Sequence, residues 1–412
     1  MAALTGGMLV TGKILAAALQ GKKKILLRSS WQTVNIGDIG HTPGVLALLE
    51  KHVTEAEVFL WPMDIRFGVA EMMRKRFPKL NLVETSEEKA KAFAECDFLL
   101  HGSGPSLVAA KDVAAWKEQT HKPYGIFGIT FPGFYGEPTE AQKAALSTNI
   151  DLLTHASFCY FRDSPSLDFA KSHGVSSPVM AFGPDGAFAV DLANDPAAKA
   201  FMQNNGLESG KFMCAIPRTR FTPYWEIPHK NTPFNPEKAQ RNKEMMEHDI
   251  GPIREAVIQI VRNTDLKVLV CPEDSTQVKL GKEQIIDKLP DDIKNRVVWK
   301  DTYWLTDEAV STYRHSVGLF GLEMHSPIMC IGNGIPAVVC RYQEQTSKGI
   351  MWRDIGLGEW LFDMDKPAEV AHIVPTVMEI AKNPDAAKKK ALKAKAYVDQ
   401  LMAEGIKRTI KS

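Results

Sequence analysis

The sequence has almost no net charge. Its 50 basic and 49 acidic residues leave a formal +1 over 412 residues, so no field of one sign draws the chain to a nucleic-acid backbone or an anionic membrane. Long apolar runs are also lacking: nothing beyond the first two dozen residues approaches the ~18 consecutive apolar residues of a membrane span. The six cysteines, Cys96, Cys159, Cys214, Cys271, Cys330 and Cys340, stand far apart with no Cys-x-x-Cys pair. That spacing excludes the common zinc and redox motifs, and the apolar runs around them suit small buried hydrophobes rather than a disulfide framework. There is no internal repeat and no low-complexity segment. No clustered ligand spacing argues for a metal, and no glycine fingerprint argues for a dinucleotide, so neither metal nor cofactor is expected.

What is present is a rhythm. From Lys24 onward short apolar runs alternate with amphipathic segments: "KILLRSS", "GVLALLEKHV", "AEVFLWP", "GVAEMMRKRF", then "CDFLLHGSG" and "KPYGIFGIT". This is the βαβ order of a parallel, doubly wound sheet. In "FCYFRDSPSLDFAKSHGV" a strand leads into a helix with Ser164 as N-cap and Pro165 in the first turn. After a polar, glycine-bearing linker the alternation restarts at "FMCAIPRTR" and runs through "KVLVCPED", "RVVWKD", "VGLFGLEMHS" and "IPAVVCRY". The fold class is therefore α/β: two Rossmann-like domains, residues 24–195 and 208–365, with two C-terminal helices over 366–412. Residues 1–23 read either as a remnant export signal, ending in Ala16-Ala17-Ala18 but lacking a basic start, or as a flexible arm. The first reading places the protein outside the cytoplasm, the second inside it. The oligomeric state is open.

In an open α/β sheet, ligands bind at the carboxyl ends of the strands, which directs attention to the turns there. "NIGD" after the first strand offers Asn35 and Asp38, with a glycine that lets backbone approach a ligand; the same residues are ordinary turn and cap formers. "HGSGPS" offers His101 and Ser103 in an amide-rich turn, or a tight structural bend. Arg162 and Asp163 read as structural, capping a helix and bridging to Asp185. "RTRFTPYWEIPHKN" carries Tyr224 and Trp225, suited to stacking on a sugar ring, or to packing between domains.

These pieces, in this order, resemble the polysaccharide pyruvyl transferase family: "NIGD", "LLHGSGPSL", "RDSPSLDFAKSHGV", "GPDGAF", and "EMHSPIMCIGNGIPAVV" followed by Tyr342 and Lys348, together covering most of residues 25–360. The resemblance implies a GT-B-like pair of Rossmann domains with the site in the cleft. Such enzymes move the enolpyruvyl unit of phosphoenolpyruvate onto two sugar hydroxyls as a ketal, which requires an acid/base group and cations for phosphate and carboxylate. The family's last motif has the form Arg-x-His. Here His325 matches its histidine, the acid/base group, but Glu323 stands at the arginine position.

That exchange turns attraction for an anionic donor into repulsion. Arg218, Arg220, Arg341 and Lys348, each following a strand of the second domain, are the candidates to compensate. Three readings follow. The first is a pyruvyl transferase with His325, Glu323 and Asp38 as candidate catalytic groups, phosphoenolpyruvate as donor and a carbohydrate as acceptor. The second is a glycoside hydrolase on the same scaffold, pairing Glu323 with Glu273 or Asp274 and with Asp38. The third is a glycan-binding protein without turnover. Beside all three stands a purely structural alternative, in which Glu323 is ion-paired to a neighbouring arginine and His325 is a satisfied histidine at a domain boundary. The transferase and hydrolase readings place the "EMHS" and "NIGD" turns on opposite walls of one gap.

Overall fold

A computed structural model describes residues 22–411. Its first lobe runs β1 (Lys23–Ser29), α1 (Ile36–His52), β2 (Ala56–Pro62), α2 (Val69–Arg76), β3 (Asn81–Leu82), α3 (Ser86–Glu95), β4 (Phe98–His101), α4 (Ala110–Thr120) and β5 (Tyr124–Ile129). It continues through α5 (Glu140–Thr154), β6 (Phe158–Phe161), α6 (Ser164–Ser172) and β7 (Met180–Phe182) to α7 (Asp195–Asn204). The second runs β8 (Phe212–Ile216), α8 (Pro236–Asn263), β9 (Lys267–Val270), α9 (Thr276–Gln284), β10 (Val297–Trp299), α10 (Thr306–Tyr313), β11 (Gly318–Gly321), α11 (His325–Gly332) and β12 (Ala337–Arg341). After it come α12 (Met351–Asp354), β13 (Leu361–Asp363), α13 (Pro367–Val370), α14 (Ile373–Lys382), α15 (Pro384–Ile406) and α16 (Arg408–Lys411).

Every strand pair is parallel. The sheets are ordered β3-β2-β1-β4-β5-β6-β7 and β10-β9-β8-β11-β12-β13. Both orders reverse direction at one place, between β1 and β4 in the first sheet and between β8 and β11 in the second. Such reversals leave a crevice at the strand ends. Strands such as "FMCAI" in β8 and "YGIFGI" in β5 are buried along their whole length, as expected where helices cover both faces.

Helix α1 is the element that joins the lobes. From Ile36 to Leu49 every residue except Asp38 is buried, the pattern of a helix enclosed on all sides. It packs against α11 and α10 of the second lobe and against α15, which returns from the second lobe to the first. Near the end of α15, Gly405 lies against Phe127 and Tyr160 of the first sheet.

Some details differ from the sequence expectation. Helix α6 is capped one residue earlier than Ser164, by Asp163, whose carboxylate accepts the Ser166 amide at 2.9 Å. The C-terminal segment forms four helical pieces rather than two, because the prolines at 367 and 384 each open a new helix. All six cysteines are free and buried. Among the described residues no helix is long and apolar enough to cross a membrane. The reading of residues 1–23 lies, apart from 22 and 23, outside the described residues.

Candidate active site at two converging strand reversals

The loops leaving the two reversals meet. From the first lobe come Asn35 and Asp38 at the start of α1 and Ser103 after β4; from the second come Arg218 after β8, Glu273 and Asp274 after β9, and Glu323 and His325 after β11. The "NIGD" and "EMHS" turns are in direct contact rather than facing across a gap. A Cβ built on Gly37 would lie 2.0 Å from His325 Cβ, so glycine is required there for the histidine to approach, not for a ligand. The amides of this turn are likewise engaged. Asn35 Oδ1 accepts from Gly37 and Asp38, and the Ile36 amide donates to the Glu273 carbonyl at 2.9 Å.

Glu273 ties the two helix starts together. One carboxylate oxygen accepts the Ser326 amide at 2.6 Å, while the other accepts from Asn35 Nδ2 at 3.3 Å and lies 3.4 Å from His325 Nδ1. A carboxylate at two helix N-termini is well placed electrostatically. His325 itself is 3% exposed, and neither ring nitrogen has a hydrogen-bond partner. It is therefore not a satisfied core histidine. Burial, with Lys348 adding to it, holds the ring well below the usual imidazole range and hence neutral near pH 7.

Glu323, at 1% exposure, accepts from Arg218 Nη1 at 2.7 Å and from Gln277 Nε2 at 2.6 Å. The ion pair considered from the sequence is thus present, and its arginine comes from the loop after β8. Burial raises the Glu323 carboxyl, opposed by Arg218. Asp274 is pushed up to about 7 by burial and by the charge of Glu323. Its carboxylate accepts the amide of Thr276, the first residue of α9, at 2.8 Å. Asp38 behaves oppositely: burial would raise it, but the neighbouring His325, His41 and Lys348 hold it below the ordinary value.

The other residues named from the sequence divide. Tyr224 reaches the centre, its hydroxyl 3.4 Å from Gln32 Nε2, and burial beside Asp38 pushes its phenol up to about 12. Lys348 is half-buried, and its charge is felt by Asp38, Glu323 and His325. Burial and Arg218 lower its pKa to about 8. Trp225 lies to one side, edge-on to Phe234, lining a 390 Å³ cavity with Thr219 and Thr276. Three residues are committed elsewhere. Arg220 is ringed by Asp249 at 2.9 Å, Glu344 at 3.1 Å and Asp365 at 2.6 Å. Arg341 pairs with Asp363 at 2.8 Å. His101 stacks on Trp31 and accepts the Ala109 amide at 3.2 Å, with burial lowering its pKa to about 3.

Two residues were missed. His41, on the first turns of α1, faces His325 edge-on at 4.9 Å between ring centroids. Tyr303 has a buried hydroxyl without a partner; its electrostatic neighbours are Asp274, Glu273 and Asp38, and it lines a 550 Å³ cavity between the lobes. His41 sits one turn beyond "NIGD", and that i, i+3 spacing from Asp38 was the available signal.

The sequence matches the polysaccharide pyruvyl transferase family model over residues 35–344. The chain belongs to this family. As a polysaccharide pyruvyl transferase family member it is a carbohydrate-active enzyme of the transferase class. By sequence, no curated protein matches it significantly. By structure it is similar to the Staphylococcus aureus MnaA–UDP complex, with TM-score 0.59 and 13% identity over 94% of this chain and 96% of that one. It is also similar to the UDP-GlcNAc 2-epimerase of Neisseria meningitidis bound to UDP-GlcNAc, with TM-score 0.57 and 12% identity over 94% and 100%. Anabaena Alr3699/HepE in complex with UDP-glucose gives TM-score 0.55 and 12% identity over 94% and 99%. At such identities the likeness carries the fold, a GT-B-like pair of lobes.

Proposed function

We propose that this enzyme transfers a pyruvyl group from phosphoenolpyruvate to two hydroxyls of a sugar, between lobes spanning residues 24–195 and 208–365. One sugar oxygen adds to C2 of the enol phosphate as C3 takes a proton, giving a methyl group. The second hydroxyl then displaces phosphate, which leaves with that hydroxyl's proton. His325, neutral and oriented by Glu273, is the acid/base group.

One observation carries this reading: the two basic side chains nearest Glu323 retain donor capacity. Arg218 gives only its Nη1 to the glutamate, while its buried Nε has no partner. The Lys348 ammonium makes no hydrogen bond or ion pair among the described residues. Together they supply the charge that the family's missing arginine would bring, for the donor's carboxylate and phosphate. Both Glu323 oxygens are engaged, which favours transfer over glycoside cleavage by this residue. Tyr224 and the Trp225 cavity are the proposed sugar contacts. Because Glu323 and His325 are closed in while Asp38 and Arg218 keep 13% and 15% of their side chains exposed, the proposed entry for substrates is the Asp38–Arg218 side.

The test is phosphate release from phosphoenolpyruvate in the presence of a panel of glycans. Acceptor-dependent release supports the proposal. Release of reducing ends without phosphate would replace it with the hydrolase.

A further inference from the structure

Local spacing offers no reason to expect a metal, because the candidate ligands lie on two segments distant in the chain. Folding brings three together. Asp38 and His41, three residues apart on α1, meet His325 at the start of α11, and one ligand atom from each lies within 4.8 Å of the others. Two of these residues are more than nine-tenths buried, His41 at 0% and His325 at 3% exposure. His41 Nε2 and both nitrogens of His325 lack hydrogen-bond partners. Unsatisfied buried polar atoms are uncommon and call for a reason.

The surroundings of each ring supply one. His41 Nδ1 is 2.8 Å from Asp185 Oδ1 and 2.9 Å from Ser103 Oγ. Asp185 is fixed by Arg162 at 2.6 Å and by the Ala187 amide at 2.9 Å. A carboxylate so placed holds the ring through Nδ1 and turns Nε2 toward Asp38, 3.8 Å away. His325 repeats the arrangement less tightly, with Glu273 on its Nδ1 side. A carboxylate or carbonyl on the far nitrogen is the usual outer support of a metal-bound imidazole.

We propose that Asp38, His41 and His325 form a binding site for a divalent transition-metal ion, with Zn²⁺ the best match to two imidazoles and one carboxylate. Ligand atoms around zinc with bonds of 2.0–2.1 Å are about 3.3 Å apart, so on loading the Asp38–His41 pair, now 3.8 Å apart, closes by about 0.5 Å and no pair, all being within 4.8 Å, closes by more than about 1.5 Å. Three protein ligands leave a fourth position of a tetrahedral ion unfilled by the protein. In the pyruvyl-transfer reading, on which this last consequence rests, a bound ion takes up the His325 lone pair that moves the proton there, so loading with zinc inhibits transfer. Ion binding itself does not depend on that reading.

The experiment uses the full chain, stripped with a chelator and titrated with Zn²⁺ alone, in the absence of any substrate. One equivalent is expected to bind, with His41→Gln and Asp38→Asn each weakening it at least a hundredfold, while His155→Ala, at an exposed site, leaves it unchanged. Absence of stoichiometric binding, or equal binding by both site variants, overturns the proposal. Should the variants fail to fold, X-ray absorption on the zinc-loaded wild type decides: two imidazole nitrogens uphold the site and fewer refute it. Because no substrate is present, loss of the metal site leaves pyruvyl transfer standing, and loss of transfer leaves the metal site standing.

Discussion

Glu323→Gln separates the structural from the functional role of the residue that departs from the family motif. The substitution keeps the shape and an acceptor for Gln277 but removes the charge 2.7 Å from Arg218. At that distance two unit charges attract by about 6 kcal/mol at an effective dielectric near 20 and by about 1.5 kcal/mol in bulk water. Arg218 is 15% exposed, and removing one partner of such a pair costs about 3 kcal/mol. With unfolding entropy near 2.1 cal/mol/K per residue over 412 residues, the expected fall in Tm is about 3–4 °C, or about twice that if the second lobe unfolds alone. The effect on the donor has the opposite sign. Arg218, released from its competing carboxylate, is expected to bind phosphoenolpyruvate at least about tenfold more tightly, which is about 1.4 kcal/mol. Differential scanning calorimetry and isothermal titration with phosphoenolpyruvate measure the two effects on one preparation. A destabilised variant whose donor affinity is unchanged or weaker would refute Arg218 as the donor anchor, and an unchanged Tm would refute the energetic weight given to the pair.

Other predictions follow from the same geometry. Gly37→Ala forces a Cβ to within 2.0 Å of His325 Cβ; overpacking of this kind costs about 1–3 kcal/mol, so denaturant unfolding should show that loss together with a reduced kcat. Lys348, with its pKa lowered to about 8, is charged below that pH and neutral above it, so the KM for phosphoenolpyruvate should rise as pH increases through 8. Lys348→Met should show the raised KM at every pH. Arg162→Met, which leaves Asp185 buried without its 2.6 Å partner, should destabilise the first lobe by about 3–5 kcal/mol in urea unfolding.

The strand-end turns were legible in the sequence because a parallel sheet confines its ligand loops to one edge, and local patterning sets where each strand stops. Asn35, Asp38, Glu273, Asp274, Glu323 and His325 all come from such turns. What each turn would touch was not legible. Glu323 lies 105 residues from Arg218, and nothing local distinguishes Arg218 from Arg220 two residues on. The fold alone sends the first to the centre and the second into Asp249, Glu344 and Asp365. Gly37 was read as room for a ligand and proves to be room for His325, since the closeness of the lobes is a tertiary fact. His41 went unnoticed for the same reason, its supporting Asp185 lying far along the chain.

The most direct measurement follows the methyl group of the product. With phosphoenolpyruvate labelled with ¹³C at C3 and a glycan acceptor, the account predicts a new ketal methyl resonance growing in step with free phosphate. In His325→Gln that resonance is lost or slowed by about 10²–10⁴, while donor binding by titration persists. A wild-type protein that releases sugar reducing ends and forms no ketal methyl, or a His325→Gln variant as fast as wild type, would contradict it.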